Sequence, residues 1–159
     1  MRLGITGHRE IPPSGVDAIR DALQALVQHH GRVVGVSSLA KGADQLFARC
    51  VLSCGKSLEA IIPCREYAST FDEADRDSYF ELLRQAANVE ILDYELPSED
   101  AFLAAGQRLV HDVDLLVAVW DGRAAEGKGG TADVVRYAQS INVPVAVVWP
   151  EDLDAHATA

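Results

Sequence analysis

Short apolar runs alternate along this chain with longer stretches in which apolar residues recur every three or four positions. The short runs are typical of β-strands, and the periodic stretches are typical of helices that bury one face. Most of the short runs are apolar at consecutive positions, so helices are expected to cover both faces of these strands. The six predicted strands span residues 3–6, 33–36, 60–63, 89–92, 115–120 and 143–149.

Five helices are predicted between these strands. Ser14 and Ser98 precede the first and fourth helices and are expected to cap them. Residues 65–76 allow two interpretations, a solvated helix face or a lid, with a helix starting anywhere from residue 67 to residue 72. The apolar faces of the five helices contain Val16, Ile19, Leu23, Leu26 and Val27; Ala43, Leu46, Phe47, Cys50, Val51 and Cys54; Tyr79, Leu82, Leu83 and Ala86; Phe102, Ala105 and Leu109; and Val134, Val135, Ala138 and Ile141.

The order of these elements predicts an α/β fold with a single doubly wound, mainly parallel sheet of about six strands, which is a Rossmann-like architecture. Ligands of such sheets bind beyond the carboxyl ends of the strands, at the point where the strand order reverses. We expect residues 1–150 to form this domain and residues 151–159 to form a loose tail.

A glycine-rich loop at residues 127–131, Gly-Lys-Gly-Gly-Thr, lies between the fifth predicted strand and the last predicted helix. Glycine lets the backbone approach a ligand closely, and free N–H groups at a helix start attract anions. We therefore expect the amides of Gly129, Gly130 and Thr131, with the Thr131 hydroxyl, to hold a phosphate. The alternative is a flexible turn followed by a threonine N-cap. Lys128 either adds positive charge to this site or points to solvent.

A second candidate loop follows the first strand, whose end lies centrally in a doubly wound sheet. The backbone of Thr6 and Gly7 and the guanidinium of Arg9 are predicted to contact a phosphate or a ribose. Arg9 alternatively forms a structural ion pair with Glu10 or with the acid at position 44. His8 is either a ligand contact or an exposed loop residue.

A third candidate loop joins the second strand to the second helix. Asp44 lies in the first turn of that helix, where the helix dipole favours a carboxylate. It either accepts hydrogen bonds from ribose hydroxyls, or holds Arg9 in position, or is only a first-turn acid. The residues of this segment that are expected to line the pocket are Ser37, Ser38, Lys41, Gly42 and Asp44.

Two further strand ends carry candidate residues. Asp121 and Gly122 follow the fifth strand, and Asp121 is interpreted as a hydroxyl acceptor, as a general base, or as part of an ordinary Asp-Gly turn. Arg65 follows the third strand and either contacts phosphate or lies on the surface.

Composition and charge restrict the partners that we expect. The chain has 159 residues, 14 Lys and Arg, 24 Asp and Glu, and a net charge of −10 without a basic run, so we predict no general nucleic-acid binding. No segment resembles a transmembrane helix or a signal peptide, so we expect no membrane contact. The three cysteines make no disulfide framework, and we expect a cytoplasmic protein. The histidines and cysteines do not have the spacing of a metal site, and we expect no metal and no cofactor.

Three segments carry a resemblance to a known group of proteins: Gly4-Ile5-Thr6-Gly7-His8-Arg9, Ser37-Ser38-Leu39-Ala40-Lys41-Gly42-Ala43-Asp44, and Gly129-Gly130-Thr131. Together they resemble the Rossmann-like nucleotide-binding domains that include the LOG phosphoribohydrolases and the core of DNA-processing protein A. The resemblance covers the element order over nearly the whole chain. It implies a nucleotide or nucleotide-derived ligand and a homo-oligomer, such as a homodimer.

LOG enzymes carry a Pro-Gly-Gly-x-Gly-Thr-x-x-Glu motif that holds phosphate and supplies a carboxylate for cleavage of the bond between base and ribose. In this chain Val134 stands where that glutamate is expected. Asp133 lies one position earlier, roughly 100° around the helix axis. If the resemblance extends to hydrolysis, the catalytic candidates are Asp133, Asp121 and Glu126.

These observations lead to three hypotheses. The first is a nucleotide-binding protein that takes AMP or a related nucleoside phosphate through the glycine-rich loop. The second is a hydrolase that cleaves the N-glycosidic bond of a nucleoside monophosphate. The third is a sensor or carrier that binds a nucleotide-derived ligand without turnover.

Overall fold

The computed structural model describes residues 1–124 and 130–150. All six predicted strands and all five predicted helices are present in it. The strands are β1 (Arg2–Gly7), β2 (Val34–Ser37), β3 (Ser57–Ile62), β4 (Asn88–Ile91), β5 (Leu115–Val119) and β6 (Val145–Val148). The helices are α1 (Val16–His29), α2 (Ala43–Ser53), α3 (Glu73–Gln85), α4 (Glu99–His111) and α5 (Thr131–Ser140).

The strands form one sheet in the order β4-β3-β2-β1-β5-β6, and every pair of neighbours is parallel. From β1 to β4 the chain adds strands on one side, and it then returns to place β5 against the other side of β1. The strand order therefore reverses between β1 and β5, which pair from Leu3 opposite Leu115 to Gly7 opposite Val119. This arrangement confirms the doubly wound, Rossmann-like α/β fold.

Two apolar cores lie on opposite faces of the sheet. One core joins α1, α2 and α3 to the sheet and has Leu23, Phe47 and Leu82 among its buried residues. The other joins α4 and α5 to the sheet through residues such as Leu109 and Val134. Both faces of the central strands are thus covered, which is why their sequences lack a polar alternation.

The helices α4 and α5 pack closely because residue 106 of α4 is a glycine. A Cβ at Gly106 would lie 2.7 Å from Cγ2 of Val134, which is closer than side chains pack. The first turn of α5 is therefore fixed against the middle of α4. This contact helps to position the start of α5 at the candidate site.

Helix starts agree with the sequence in one case and differ in another. Ser98 caps α4, as predicted, by accepting a hydrogen bond from the amide of Ala101 at 3.0 Å. Ser14 does not cap α1; it lies in a 3₁₀ turn, and Gly15 holds the N-cap position without a side-chain bond. The two prolines that precede Ser14 favour this tighter turn, since their backbone φ is fixed and they donate no hydrogen bond.

Residues 65–76, for which the sequence allowed two interpretations, contain a short turn and the start of a helix. Residues 67–70 form a 3₁₀ turn, and α3 begins only at Glu73, where Asp72 accepts a hydrogen bond from the amide of Asp75 at 2.9 Å. Tyr67 is buried, whereas residues 72–74 and 76 are exposed, so the predicted solvated helix face is present only at the start of α3.

Three further predictions concern the C-terminal tail, membrane-spanning helices and the cysteines. Residues 151–159, expected to form a tail, lie outside the described residues. Within residues 1–124 and 130–150, no helix is both long enough and apolar enough to cross a bilayer. Cys50, Cys54 and Cys64 are free thiols.

Candidate functional site

A cleft of about 660 Å³ opens at the carboxyl edge of the sheet, over the reversal between β1 and β5. Residues that follow β1, β2, β3, β5 and β6 line it, together with the inner side of α4 and the start of α5. Because parallel strands present all their carboxyl ends at one edge, segments far apart in the sequence meet here. The volume is within the range of small-molecule sites in proteins.

Nine of the residues selected from the sequence line this cleft. They come from the three loops that the sequence singled out and from the end of β5. They are Thr6, Gly7, His8, Arg9, Ser38, Asp44, Asp121, Gly130 and Thr131.

Two basic residues that the sequence predicted to contact the ligand do not line the cleft and form ion pairs instead. Lys41 forms an ion pair with Glu10. Arg65 pairs with Asp93 at 2.8 Å and with Glu95 at 3.5 Å. The acids that neutralise these cations come from other segments of the chain, which is why their sequence neighbourhood did not reveal the pairing.

Four other selected residues support the cleft from outside or lie beyond it. Ser37 is fully buried, and its Oγ accepts a hydrogen bond from the Leu39 amide at 3.0 Å. Gly42 has a φ of 83° and lies beneath the loop after β1, while Gly122 forms a turn with a φ of 87°. Asp133 lies in a groove between α4 and α5 on the far side of these helices, where it pairs with Arg136 at 3.2 Å.

Three selected residues, Glu126, Lys128 and Gly129, lie outside the described residues. Of the predicted phosphate loop, the structure describes Gly130 and Thr131. Gly130 is the N-cap of α5 with an extended backbone, φ −74° and ψ 173°, and Thr131 is the first helical residue, so Thr131 is not itself the N-cap. Within the described part of the chain no side chain caps this helix start, and both residues line the cleft.

Arg9 is held by an aromatic ring instead of an acid. Its guanidinium carbon lies 5.1 Å from the centroid of the Phe102 ring, a cation–π geometry. Among the described residues neither Glu10 nor Asp44 forms an ion pair with it, since Glu10 pairs with Lys41. The structural ion pair considered as an alternative is thus not formed, and the guanidinium keeps its N–H donors for another partner.

Asp44 is a buried acid at the floor of the cleft. It is 8% exposed, and its Oδ2 accepts one hydrogen bond from the Ala40 amide at 3.3 Å. Burial raises the pKa of Asp44 to about 7, against the opposing effects of the Ala40 N–H and the charge of Arg9. Asp44 therefore changes its charge near neutral pH.

The end of β5 places Asp121 beside His8. The Nε2 atom of His8 lies 3.2 Å from Oδ1 of Asp121 and 3.2 Å from its amide nitrogen, so the tautomer of the ring decides which contact is a hydrogen bond. Oδ1 also accepts a hydrogen bond from the Arg123 amide at 3.0 Å. The His8 ring packs edge-on against Trp149, with centroids 5.4 Å apart. His8 is thus fixed by its neighbours instead of being a free loop residue.

The position that carries glutamate in the LOG motif is apolar here. Val134 lines the cleft and is 3% exposed. Neither Val134 nor the outward-lying Asp133 brings a carboxylate to the cleft from α5. Of the three catalytic candidates, Asp121 is the one that the described structure places in the lining.

Tyr67 is a cleft residue that the sequence analysis missed. It is 3% exposed and packs edge-on against Phe71, Tyr79 and Phe102, with ring centroids 5.1, 5.5 and 6.3 Å away. The charged residues around it in the sequence predicted a solvated segment and obscured this burial. The available signal was an aromatic residue four positions after residue 63, the predicted end of the third strand.

Solved structures share this fold. DNA processing protein A from Streptococcus pneumoniae superposes with a TM-score of 0.70 at 19% identity over 96% of this chain, and the Helicobacter pylori protein with a TM-score of 0.70 at 19% identity over 95%. A molybdenum cofactor binding protein from Rippkaea orientalis gives 0.60 at 14% identity, over 99% of this chain and 82% of its own. The resemblance noted in the sequence is thus confirmed for the fold.

The chain covers about half of the Streptococcus pneumoniae protein, 52%, and 66% of the Helicobacter pylori protein. No protein-family model and no curated protein sequence matches it.

The prediction of no general nucleic-acid binding is wrong. General nucleic-acid binding was excluded because of the net charge of −10. The Helicobacter pylori structure of this fold concerns a single-stranded DNA binding mode. Net charge sums the whole surface, whereas binding depends on the local arrangement of donors and cations, so total charge does not support that exclusion for this fold.

Proposed function

We propose that this chain binds a mononucleotide, AMP or a related nucleoside phosphate, in the cleft at the β1–β5 reversal. The observation that carries the proposal is a combination of two donors on one cleft. They are a helix start at Gly130 and Thr131, and the guanidinium of Arg9; among the described residues the first has no side-chain cap and the second has no ion-pair partner. Backbone amides at a helix start and an arginine fork are both suited to phosphate oxygens.

The position of Arg9 relative to α5 follows from their shared contacts with α4. Arg9 rests on Phe102, while Gly106, four residues further along α4, packs against Val134 in the first turn of α5. Four residues correspond to about one helical turn, or about 5.4 Å of rise. Arg9 and the start of α5 also line the same cleft, so a phosphate held at the helix start faces the side of the cleft that carries the guanidinium.

The ligands named for proteins of this fold differ. One solved structure concerns single-stranded DNA, and two concern the molybdenum cofactor, including a carrier protein from Chlamydomonas reinhardtii. The fold therefore supports ligand binding in general without choosing the ligand. We base the choice of a mononucleotide on the donors and the volume of the cleft in this chain, and a sensor or carrier role fits the same site.

Hydrolysis of the N-glycosidic bond is the less favoured function. It needs a carboxylate near the ribose, and Val134 occupies the position at which LOG enzymes supply one. If turnover occurs, Asp121 is the candidate that lines the cleft. Incubation of the protein with AMP and chromatography of free adenine tests this; full activity in Asp121→Asn would remove Asp121 from that role.

The principal test is titration calorimetry with AMP. We expect Arg9→Gln to weaken AMP binding by about tenfold or more, because a charge-assisted hydrogen bond to phosphate is lost. Arg65→Gln is the matched control, since Arg65 also follows a strand but pairs with acids away from the cleft. No binding of AMP at millimolar concentration, or equal affinities for Arg9→Gln and Arg65→Gln, would contradict the proposal.

Two further expectations stay predictions. A cytoplasmic location is proposed because the cysteine content makes no disulfide framework. The homodimer implied by the resemblance is tested by light scattering on the purified protein.

A further inference from the structure

Two buried polar side chains on the β2–β3 side of the cleft have unused hydrogen-bonding capacity. Asp44 is 8% exposed and Tyr67 is 3% exposed, and both line the cleft. The described part of the chain offers Asp44 one donor, the Ala40 amide, and offers the Tyr67 hydroxyl no hydrogen-bond partner. A carboxylate has about four acceptor positions, so most of those on Asp44 remain available.

The fully buried side-chain polar atom without a partner in the described chain is Trp149 Nε1, so the free oxygens of Asp44 and Tyr67 are instead open to the cleft, where a ligand can reach them. The nearest cation does not satisfy Asp44, because the Arg9 guanidinium rests on Phe102. Burial, with a further effect from the charge of Asp44, raises the pKa of Tyr67 above its ordinary value, so the phenol stays protonated. This side of the cleft therefore presents a hydroxyl donor beside a carboxyl acceptor.

We propose that Asp44 and Tyr67 form the subsite for the base of the nucleotide and select a nitrogen heterocycle that carries an amino group next to a ring nitrogen. The amino N–H donates to Asp44, and the ring nitrogen accepts from Tyr67. This inference rests on the proposed function, because it assumes that a nucleoside phosphate occupies the cleft.

The location of the pair favours the base over the ribose. Asp44 lies in the first turn of α2, which packs on one face of the sheet, whereas α5 packs on the other face, and the loop after β1 lies between the starts of the two helices. In a nucleotide the ribose adjoins the phosphate and the base lies beyond it, so the base reaches the more distant position.

The walls around the pair suit a flat ring. Tyr67 belongs to an aromatic cluster with Phe71, Tyr79 and Phe102, and Phe102 also lines the cleft. The ring surface available to a base is the part of Phe102 that Arg9 leaves uncovered, because Tyr67 is almost fully buried and reaches the cleft only at its edge. Ribose hydroxyls would gain nothing comparable from this wall.

Charged groups from two neighbouring elements act on the pair. Arg9, from the loop after β1, favours the ionised form of Asp44, and it also lowers the pKa of Tyr67 against the effect of burial. Lys41, in the loop before α2, is neutralised by Glu10. Since Asp44 accepts from the amino group when ionised, we expect the preference for an amino base to be stronger at pH 8 than at pH 6.

The test compares three ligands by calorimetry: AMP, purine riboside 5′-monophosphate, which lacks the amino group, and ribose 5-phosphate, which lacks the base. At pH 8 we expect the wild-type protein to bind AMP at least tenfold more tightly than purine riboside 5′-monophosphate. Asp44→Asn should reduce this ratio by about fivefold, because a charge-assisted bond becomes a neutral one, while the affinity for ribose 5-phosphate stays unchanged.

Tyr67→Phe is expected to weaken AMP binding by about fivefold, and Tyr79→Phe is its matched control. Tyr79 belongs to the same aromatic cluster and is 5% exposed, but it lies behind the residues that line the cleft. An equal loss in both variants would contradict the role of the Tyr67 hydroxyl.

The outcomes separate failure of the subsite from failure of the proposed function. If wild-type protein binds AMP and purine riboside 5′-monophosphate equally, the base subsite is wrong while nucleotide binding stands. If Asp44→Asn weakens ribose 5-phosphate as much as AMP, Asp44 contacts ribose or phosphate, and the inference is again overturned. If none of the three ligands binds, the proposed function itself fails. The wild-type comparison requires no variant to fold.

Discussion

Burial of the Asp44 carboxylate lowers the stability of the folded chain when that group is ionised. The pKa of Asp44 rises to about 7 in the folded protein, whereas the ordinary value of an aspartate is 3.8. Below about pH 4 the group is protonated in both states and the folded state loses nothing. As the pH rises from about 4 to about 7, the unfolded chain ionises first, so stability falls over this range and then levels off.

Asp44→Asn should remove this cost without changing the shape of the side chain. We expect the variant to be more stable than the wild type by an amount on the order of a few kcal/mol at pH 8, with little difference at pH 4. Thermal unfolding at pH 4, 6 and 8 measures the trend. Asp17→Asn is the control, because the Asp17 side chain is 90% exposed. A gain that is equal at all three pH values would show that ionisation of Asp44 is not its cause.

The contact between α2 and the loop after β1 determines where the cleft residues of that loop lie. The amide of Ala43 donates to the carbonyl of His8 at 3.1 Å. Gly42 allows this contact in two ways: its φ of 83° suits glycine, and a Cβ there would lie 2.5 Å from the carbonyl oxygen of His8. The start of α2 therefore holds His8 and Arg9 from below.

Gly42→Ala should be destabilising and should also weaken AMP binding. Gly55→Ala is a matched control, since Gly55 has a φ of 71° but no atom of the described residues lies within 4 Å of where its Cβ would be. We expect the control to lose about 1 kcal/mol of unfolding free energy from its φ alone, and Gly42→Ala to lose about 2–3 kcal/mol more from the overlap. Urea denaturation measures both losses.

Equal losses in the two variants would show that the loop after β1 moves away from α2 without resistance. Calorimetry with AMP then shows whether each substitution changes the affinity of the site in addition to the stability of the fold. Gly55→Ala should keep the wild-type affinity, because Gly55 follows α2 at the edge of the sheet opposite to the cleft.

The cleft exists only when the sheet is complete, because its lining comes from the ends of five strands and from three helices. A ligand bound there interacts with the folded chain and not with the unfolded one. Binding is therefore coupled to the stability of the entire domain.

AMP at one hundred times its dissociation constant should raise the unfolding free energy by about 2.7 kcal/mol. For a domain of this size that corresponds to an increase in Tm of roughly 5–10 °C, at about 2–4 °C for each kcal/mol. Differential scanning calorimetry with and without AMP measures this, and Arg9→Gln at the same AMP concentration should show a smaller increase. An unchanged Tm, with AMP binding detected by titration, would contradict a site built from distant strands.

The sequence predicted the fold well because the determinants of its elements are local. The spacing of apolar residues specifies strand or helix within a few positions, and consecutive apolar runs such as residues 115–119 indicate strands covered on both faces. Alternation of the two types, with right-handed connections, left little freedom for the topology. The convergence of the three glycine-containing loops followed from that topology.

Side-chain partners depended on contacts between residues far apart in the chain. Arg9 lies on Phe102, Arg65 pairs with Asp93, and Tyr67 is buried under α4 and α3 despite its charged neighbours. Spacing along one element does not contain this information. The sequence could therefore indicate which segments meet at the cleft, whereas packing between distant segments selected the side chains that remain available to a ligand there.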